Sequence, residues 1–406
     1  MKNYRDIASL FAKQLVEIVP KKKNFNDSIA SQGKVLADDI ISRVKGVPSV
    51  FDFSDESWRG MTGFLRDYEN ELFRFSDKYH SSITLSERVT NDLAGKMEFP
   101  SGIIPAAFNP TRKTIPKLNI HTLHNVSIVF SGRHFAILDT KSKKFFSGST
   151  LLPSESNIKY KKPVEVKELT FCGDFRGQNN ICHFAYDSFP RALISRDVIG
   201  DLPVLFNPPN TFGKYQKMLC DKAGIRVLNF DQTCIVNVKK MHFFDNLIPQ
   251  KMCHPALLCH PIYIKNLSSV KPFSNGNRIK LYISRRDAKS RQILNEIELE
   301  KALTLLGFKI VIPTEHSPEE QLQLFADADI VIGSHGAGLT GVFACKSGSK
   351  VIEIFNPSKG TAAYANMSQA MGLNYTAVFG SPVKDAKNNF TVDVSEITKL
   401  VELDFE

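Results

Sequence analysis

No two of the seven cysteines (Cys172, Cys182, Cys220, Cys234, Cys253, Cys259 and Cys345) form a Cys-x-x-Cys pair. An odd, scattered set of thiols argues against a disulfide framework and leads us to expect reduced, intracellular cysteines. "MCHPALLCHP" sets two Cys-His-Pro units six residues apart. With proline after each histidine and no second ligand pair, it is expected to be a structural loop rather than a zinc site. Long apolar runs are missing too: none reaches the roughly 20 residues that span a bilayer. "MKNYRDIASLFAKQLVEIVPKKK" at the start is broken by Asp6, Lys13 and Glu17, so it is no signal peptide. Its apolar positions fall near helical spacing, which suits docking on the protein's own core or contact with a membrane surface. Dense basic–aromatic alternation is lacking, and nucleic acid is not expected as a partner. The chain contains no Gly-Lys-Ser/Thr triplet, which excludes a phosphate-loop NTPase.

The 406 residues are 42% apolar and 23% charged, a globular balance long enough for two or three domains. A net charge of +10 favours anionic partners such as nucleotide phosphates, lipid diphosphates, acidic glycans or a membrane surface. The expected location is cytoplasmic, with peripheral membrane contact through basic surface.

Residues 1–110 are expected to form a helical N-terminal extension, because "DESWRGMTGFLRDYENELFRFSDKYH" repeats apolar residues at helical intervals. A Pro-rich stretch before residue 118 suggests a boundary, and "VSIVFSGRHFAILD" reads as a hairpin. Residues 111–265 are then assigned to one α/β domain and 266–385 to a second, with a tail helix in 386–406. In the second, "RIKLYISRR", "FKIVIP", "DIVIGSH" and "SKVIEIF" read as strands separated by helices. Ser317 is the expected N-cap of one of these helices, with Pro318 at its first position. Two such runs predict two parallel sheets facing a cleft.

Three segments carry chemistry. "DIVIGSHGAGLTGVFA" ends a strand on His335 and strips the turn to Gly336, Ala337 and Gly338, so that a ligand can approach backbone N–H groups at a helix start. Gly336-Ala337-Gly338-Leu339-Thr340-Gly341 is also a literal dinucleotide fingerprint, with Glu353 near where a ribose-binding acid would sit. Only nine residues separate Gly341 from Val351, too few for a Rossmann helix and loop, so an NAD-dependent oxidoreductase is the rival reading. About fifty residues upstream, "LYISRRDAKSRQILNE" brings Arg285, Arg286 and Arg291 to another strand end, where forked donors suit phosphate. Arg291 could instead be a solvated residue paired with Glu296. In "NNICHFAYDSFPRAL", His183 and Asp187 lie four apart and share a helix face. They form either a buried, satisfied histidine or a carboxylate base at the cleft.

Together these segments resemble glycosyltransferase family 61 over roughly residues 170–380. The resemblance implies a GT-B architecture of two facing Rossmann-like domains, inversion at the anomeric carbon and no required metal or other cofactor. No Asp-x-Asp has a suitable strand-end setting; Asp327 and Asp329 lie between a helix and a buried strand. The donor implied is a nucleotide-diphospho-sugar, UDP-linked, and the acceptor a glycan or lipid-linked saccharide in cell-surface polysaccharide or capsule synthesis. Carried over by position, Asp187 is the base and His183 its orienting partner. The donor is bound by Arg285, Arg291, Asn295, His335, Gly336, Ala337, Gly338, Glu353 and Tyr364. The sequence departs from the family pattern at Phe184, Gly341 and Cys345, where Trp, Asn and Pro are frequent. A degenerate, glycan-binding relative is the non-enzymatic alternative.

Overall fold

The computed structural model describes residues 80–85, 88–89, 97–98, 114–115, 118–131, 134–139, 163–173, 180–206, 213–230, 235–244, 255–258, 260–356, 361, 363–383 and 388–402. The start read as amphipathic, the stretch before His80 expected to be helical, and the residues Cys253, His254 and Cys259 lie outside them. Within the expected helical extension, the described segments are strands, because "HSSITL" alternates in the β manner.

The first sheet contains β1 (His80–Leu85), β2 (Leu118–Ser131), β3 (His134–Asp139), β4 (Val164–Phe171), β5 (Val204–Leu205), β6 (Val227–Leu228) and β7 (Ile235–Phe244), in the order β1-β2-β7-β4-β5-β6 with β3 also on β2. It is mixed rather than all parallel. β1, β3 and β7 pair antiparallel with β2, whereas β7, β4, β5 and β6 run parallel. The short β2–β3 connection leaves no room for the crossover that parallel pairing needs.

The second sheet is all parallel. β8 (Ile279–Ile283), β9 (Phe308–Val311), β10 (Ala328–Ser334), β11 (Lys350–Phe355) and β12 (Asn374–Phe379) lie in the order β9-β8-β10-β11-β12, and Met97–Glu98 adds a short edge. Counted from β8 this is the 2-1-3-4-5 order, whose switch point lies between β8 and β10. Its strands are buried on both faces, as the apolar runs demanded.

The helices are α1 (Ile181–His183), α2 (Phe189–Ile199), α3 (Lys214–Lys222), α4 (Pro255–Leu258), α5 (Pro261–Leu267), α6 (Glu296–Leu305), α7 (Pro318–Asp327), α8 (Ala363–Met371) and α9 (Val394–Glu402). Ser317 caps α7 in a full capping box with Glu320. Gly224 and Gly307, past the ends of α3 and α6, have φ of +65° and +82°, left-handed stops that favour glycine. The expected boundary at 265/266 falls inside α5; the chain passes between sheets over 268–278 instead.

One continuous core joins the two sheets. Ile120 and Phe244 from the first sheet share it with Leu281, Val331 and Val351 from the second, through Leu193, Leu219, Tyr263, Phe325 and Met367 of the helices between. On the far face of the second sheet, α6 and α9 bury Leu299, Leu303, Ile397 and Val401. The parallel sheet is therefore covered by helices on both sides. Among the described residues, no helix is long and apolar enough to cross a membrane.

Candidate functional site

β8 and β10 end side by side at the switch point, where open α/β sheets receive ligands. Ser284 and Arg285 leave β8; His335 and Gly336 leave β10. The Arg285 guanidinium lies against the Cα of Gly336, where a Cβ would overlap Nη1. Arg285 is held by its backbone, whose N–H donates to Glu296 Oε1 at 2.8 Å; the Tyr282 hydroxyl donates to the same oxygen at 2.8 Å. Its buried Nε has no hydrogen-bond partner among the described residues. Burial and the neighbouring Arg291 lower the Arg285 pKa from its ordinary value, against Glu296 and Asp287, which raise it. Arg291 has no ion-pair partner among the described residues, and Glu296 serves Tyr282 and Arg285 instead of the envisaged pairing. Arg291 adopts φ +57°, a left-handed conformation costing a non-glycine residue on the order of 1 kcal/mol.

The turn after β10 leads into a 3-10 helix, Ala337–Ala344, rather than an α-helix. Its first bond is Leu339 N–H to the Gly336 carbonyl, 3.0 Å, so the N–H groups of Ala337 and Gly338 have no intrahelical acceptor. The glycines serve different ends. Gly338 lies under Ile283, with a Cβ brought to 2.9 Å of Cγ2, and Gly341 lies against the Phe325 ring. The third glycine of the dinucleotide-like pattern therefore packs a helix and leaves the ligand turn to Gly336.

His335 is clamped. Its Nδ1 hydrogen-bonds Glu353 Oε1 and its ring stacks on Phe355 at 5.0 Å, with Tyr364 edge-on at 5.8 Å. The Tyr364 hydroxyl donates to the Gly336 carbonyl. Glu353 is fully buried and its other oxygen accepts from the Tyr375 hydroxyl. It therefore holds His335 rather than facing a ribose, which removes the acid the oxidoreductase reading required. Asn295 is not part of this cluster: its amide donates to the Val392 carbonyl at 2.9 Å and accepts from the Val392 N–H at 3.0 Å.

Across the seam, Asn180 caps α1 by accepting from the Cys182 N–H at 3.0 Å, and a π-helical turn, Phe184–Ser188, joins α1 to α2. Pro190, at the start of α2, has no N–H to give to the preceding turn. The Ala185 carbonyl accepts from the Tyr263 hydroxyl instead, 3.3 Å away. His183 Nδ1 and Asp187 Oδ2 are 2.9 Å apart; the Asp187 side chain has no exposed surface, while that of His183 keeps 11%. Solvent thus reaches the histidine and not the carboxylate, the reverse of the order of roles expected from the sequence. Tyr186 ties this segment to the 3-10 helix after β10, its hydroxyl donating to the Thr340 carbonyl at 2.8 Å and its ring edge-on to Tyr364 at 5.8 Å. Asp327 accepts from Ser274 and Asn275, and Asp329 pairs with Arg278. His260 caps α5, Nδ1 accepting from the Ile262 N–H at 3.3 Å. Tyr186 and Tyr375 escaped the sequence reading, since each acts through a partner in another element.

A 2-1-3-4-5 parallel sheet with cationic and amide donors at its switch point defines an α/β protein built to receive an anionic ligand there. Residues 181–352 match the family model Glycosyltransferase 61. Over 121 residues it is 31% identical to the EGF domain-specific O-linked N-acetylglucosamine transferases of Bos taurus and Gallus gallus. Each alignment takes in 29% of this chain and 22% of the relative, so the chain spans about a fifth of the length of the curated relatives it matches. Among solved structures, E. coli heptosyltransferase WaaC with ADP overlaps 59% of this chain and 99% of that one, at 9% identity and a TM-score of 0.31. The iron-containing heptosyltransferase TibC in complex with ADP-D-beta-D-heptose overlaps 68% and 82%, at 9% and 0.29. Scores of that size add nothing to the fold, which rests on the strand pairings above.

Proposed function

We propose that the protein is an inverting glycosyltransferase that moves a sugar from a nucleotide-diphospho-sugar, UDP-linked, to a hydroxyl of a glycan or lipid-linked acceptor. The observation that carries this reading is the contact of Arg285 with Gly336 at the switch point, beside the clamped His335. Guanidinium, imidazole and free N–H groups there suit a diphosphate, and they become worth more as the leaving group gains charge. His183 takes the acceptor proton as the hydroxyl oxygen attacks the anomeric carbon, and Asp187 orients the imidazole through Nδ1, leaving Nε2 for the acceptor. In this mechanism the cationic groups do the work that a divalent ion does in other transferases, so turnover should persist in EDTA.

A panel of nucleotide-sugars tests the reading: UDP should raise the thermal midpoint and a UDP-sugar should be hydrolysed slowly without acceptor. Stabilisation by NAD instead, or EDTA inhibition reversed by Mn²⁺, would overturn it.

A further inference from the structure

We propose that the outward face of α6 is the surface through which two copies of this chain associate, the two helices packing antiparallel about a two-fold axis. No residue of that face belongs to the donor or acceptor groups named above, so the association stands apart from the proposed reaction.

α6 is apolar on two sides. Leu299 and Leu303 turn inward, into the cluster that α9 and the second sheet complete. Leu294, just before the helix, and Ile297 and Leu305 within it turn outward, at 54%, 62% and 89% exposure. They are three of the five large apolar side chains that stand exposed among the described residues. Gathered on one side of one helix, they form a patch rather than scattered surface leucines. Lys301 and Thr304 are exposed as well, and at about 3.6 residues per turn positions 297, 301, 304 and 305 fall on a single stripe. The charges of the helix sort in the same way. Glu296 accepts from Tyr282 and Arg285, and Glu300 pairs with Arg286. Glu298 and Lys301 are exposed, and neither side chain has a hydrogen-bond or ion-pair partner among the described residues.

The face is complementary to itself. A two-fold axis through the middle of the stripe, between residues 299 and 300, sets Leu294 of each copy against Leu305 of the other. The same operation sets Glu298 of each copy against Lys301 of the other. Unlike charges meet twice and like charges nowhere, which selects this register over a slipped one. A lipid surface would have no use for that pairing. β9, the edge strand against which α6 packs, is only four residues long and carries exposed Lys309, a common guard against strand pairing. The helix rather than the sheet edge therefore makes the contact. A face of this length buries less than the roughly 1,200 Å² of a stable interface, so the dimer is weak and depends on concentration.

Sedimentation velocity of the full chain at low salt, from low micromolar to several hundred micromolar, reads the association. The wild type should pass from monomer to dimer over that range, less readily as salt is added. L305D should stay monomeric. E298K and K301E each bring like charges together twice and should raise the dimer dissociation constant at least ~10-fold. E298K/K301E exchanges the two charges, restores the alternation and should return close to the wild-type value. Because the three positions are exposed, each variant should melt as the wild type does, which confirms that it folds. A wild type that stays monomeric throughout would overturn the proposal. So would a dimer that survives L305D, one that both single reversals leave intact, or one that the double exchange fails to rescue. Vesicles of anionic phospholipid form the second arm: if the monomer binds them and L305D does not, the face serves a membrane and the proposal falls.

Discussion

Arg285 rests on Gly336: the guanidinium of one occupies the space that any side chain on the other would need. Gly336→Ala should therefore push the arginine off the turn. UDP affinity is expected to fall at least ~10-fold, about the 1.4 kcal/mol that a displaced charged contact readily exceeds, while the thermal midpoint of the unliganded protein moves little. Titration calorimetry and a melting curve on the same sample check both halves. Unchanged affinity would separate Arg285 from the donor.

Gly341 makes the opposite prediction. Its missing Cβ accommodates the Phe325 ring of α7, a packing contact behind the turn. Gly341→Ala should destabilise the fold by about 1–3 kcal/mol through overpacking and leave UDP affinity in the surviving folded protein unchanged. A loss of affinity without loss of stability would return Gly341 to the ligand site.

Under the proposed mechanism His183 is the base and Asp187 its orienter. His183→Gln should lower kcat at least ~100-fold, the range general-base removal costs, with UDP affinity intact. Asp187→Asn should also lower kcat without touching UDP affinity, and should shift the pH–rate profile because the imidazole loses its fixed partner. Full activity in His183→Gln would take the histidine out of the reaction.

Glu296 links the site to stability. Burial raises its pKa above the ordinary 4.5, against the hydrogen bonds from Arg285 and Tyr282 that favour the charged form. The unfolded chain then ionises first, and the folded state loses stability as pH rises through the folded pKa. Glu296→Gln, which keeps an accepting oxygen, should melt above the wild type at about pH 7, with the gap closing toward about pH 4. Melting curves across that range check it, and a gap that widens in acid would contradict the sign.

The second sheet was legible because each strand is an apolar run closed by a helix with its own stop: Ser317 opens α7 and Gly307 ends α6. β4 and β7 were not, because "VEVKELTF" and "IVNVKKMHFF" carry charges whose sense lies in each other, as in the Lys240–Glu168 pair at 2.8 Å. The strand-end reading put Arg285 and His335 on one crevice, and the ends of β8 and β10 do lie side by side. The same logic misplaced Glu353, since only sheet register reveals that Tyr375 and His335 take its two oxygens. Spacing joined His183 to Asp187, but which of them meets solvent depends on the packing around the π-helical turn. Asn295 resembled a ligand residue, whereas its amide is spent 97 positions away on Val392.

The apolar layer shared by both sheets bears on how this protein can be re-engineered. Severing the chain between β7 and β8 would strip an oily slab bare on each fragment, and both should aggregate. The halves carrying the two sheets are consequently not interchangeable cassettes. A new sugar preference has to be introduced at the rim of the crevice, one side chain at a time, with the interlayer left whole.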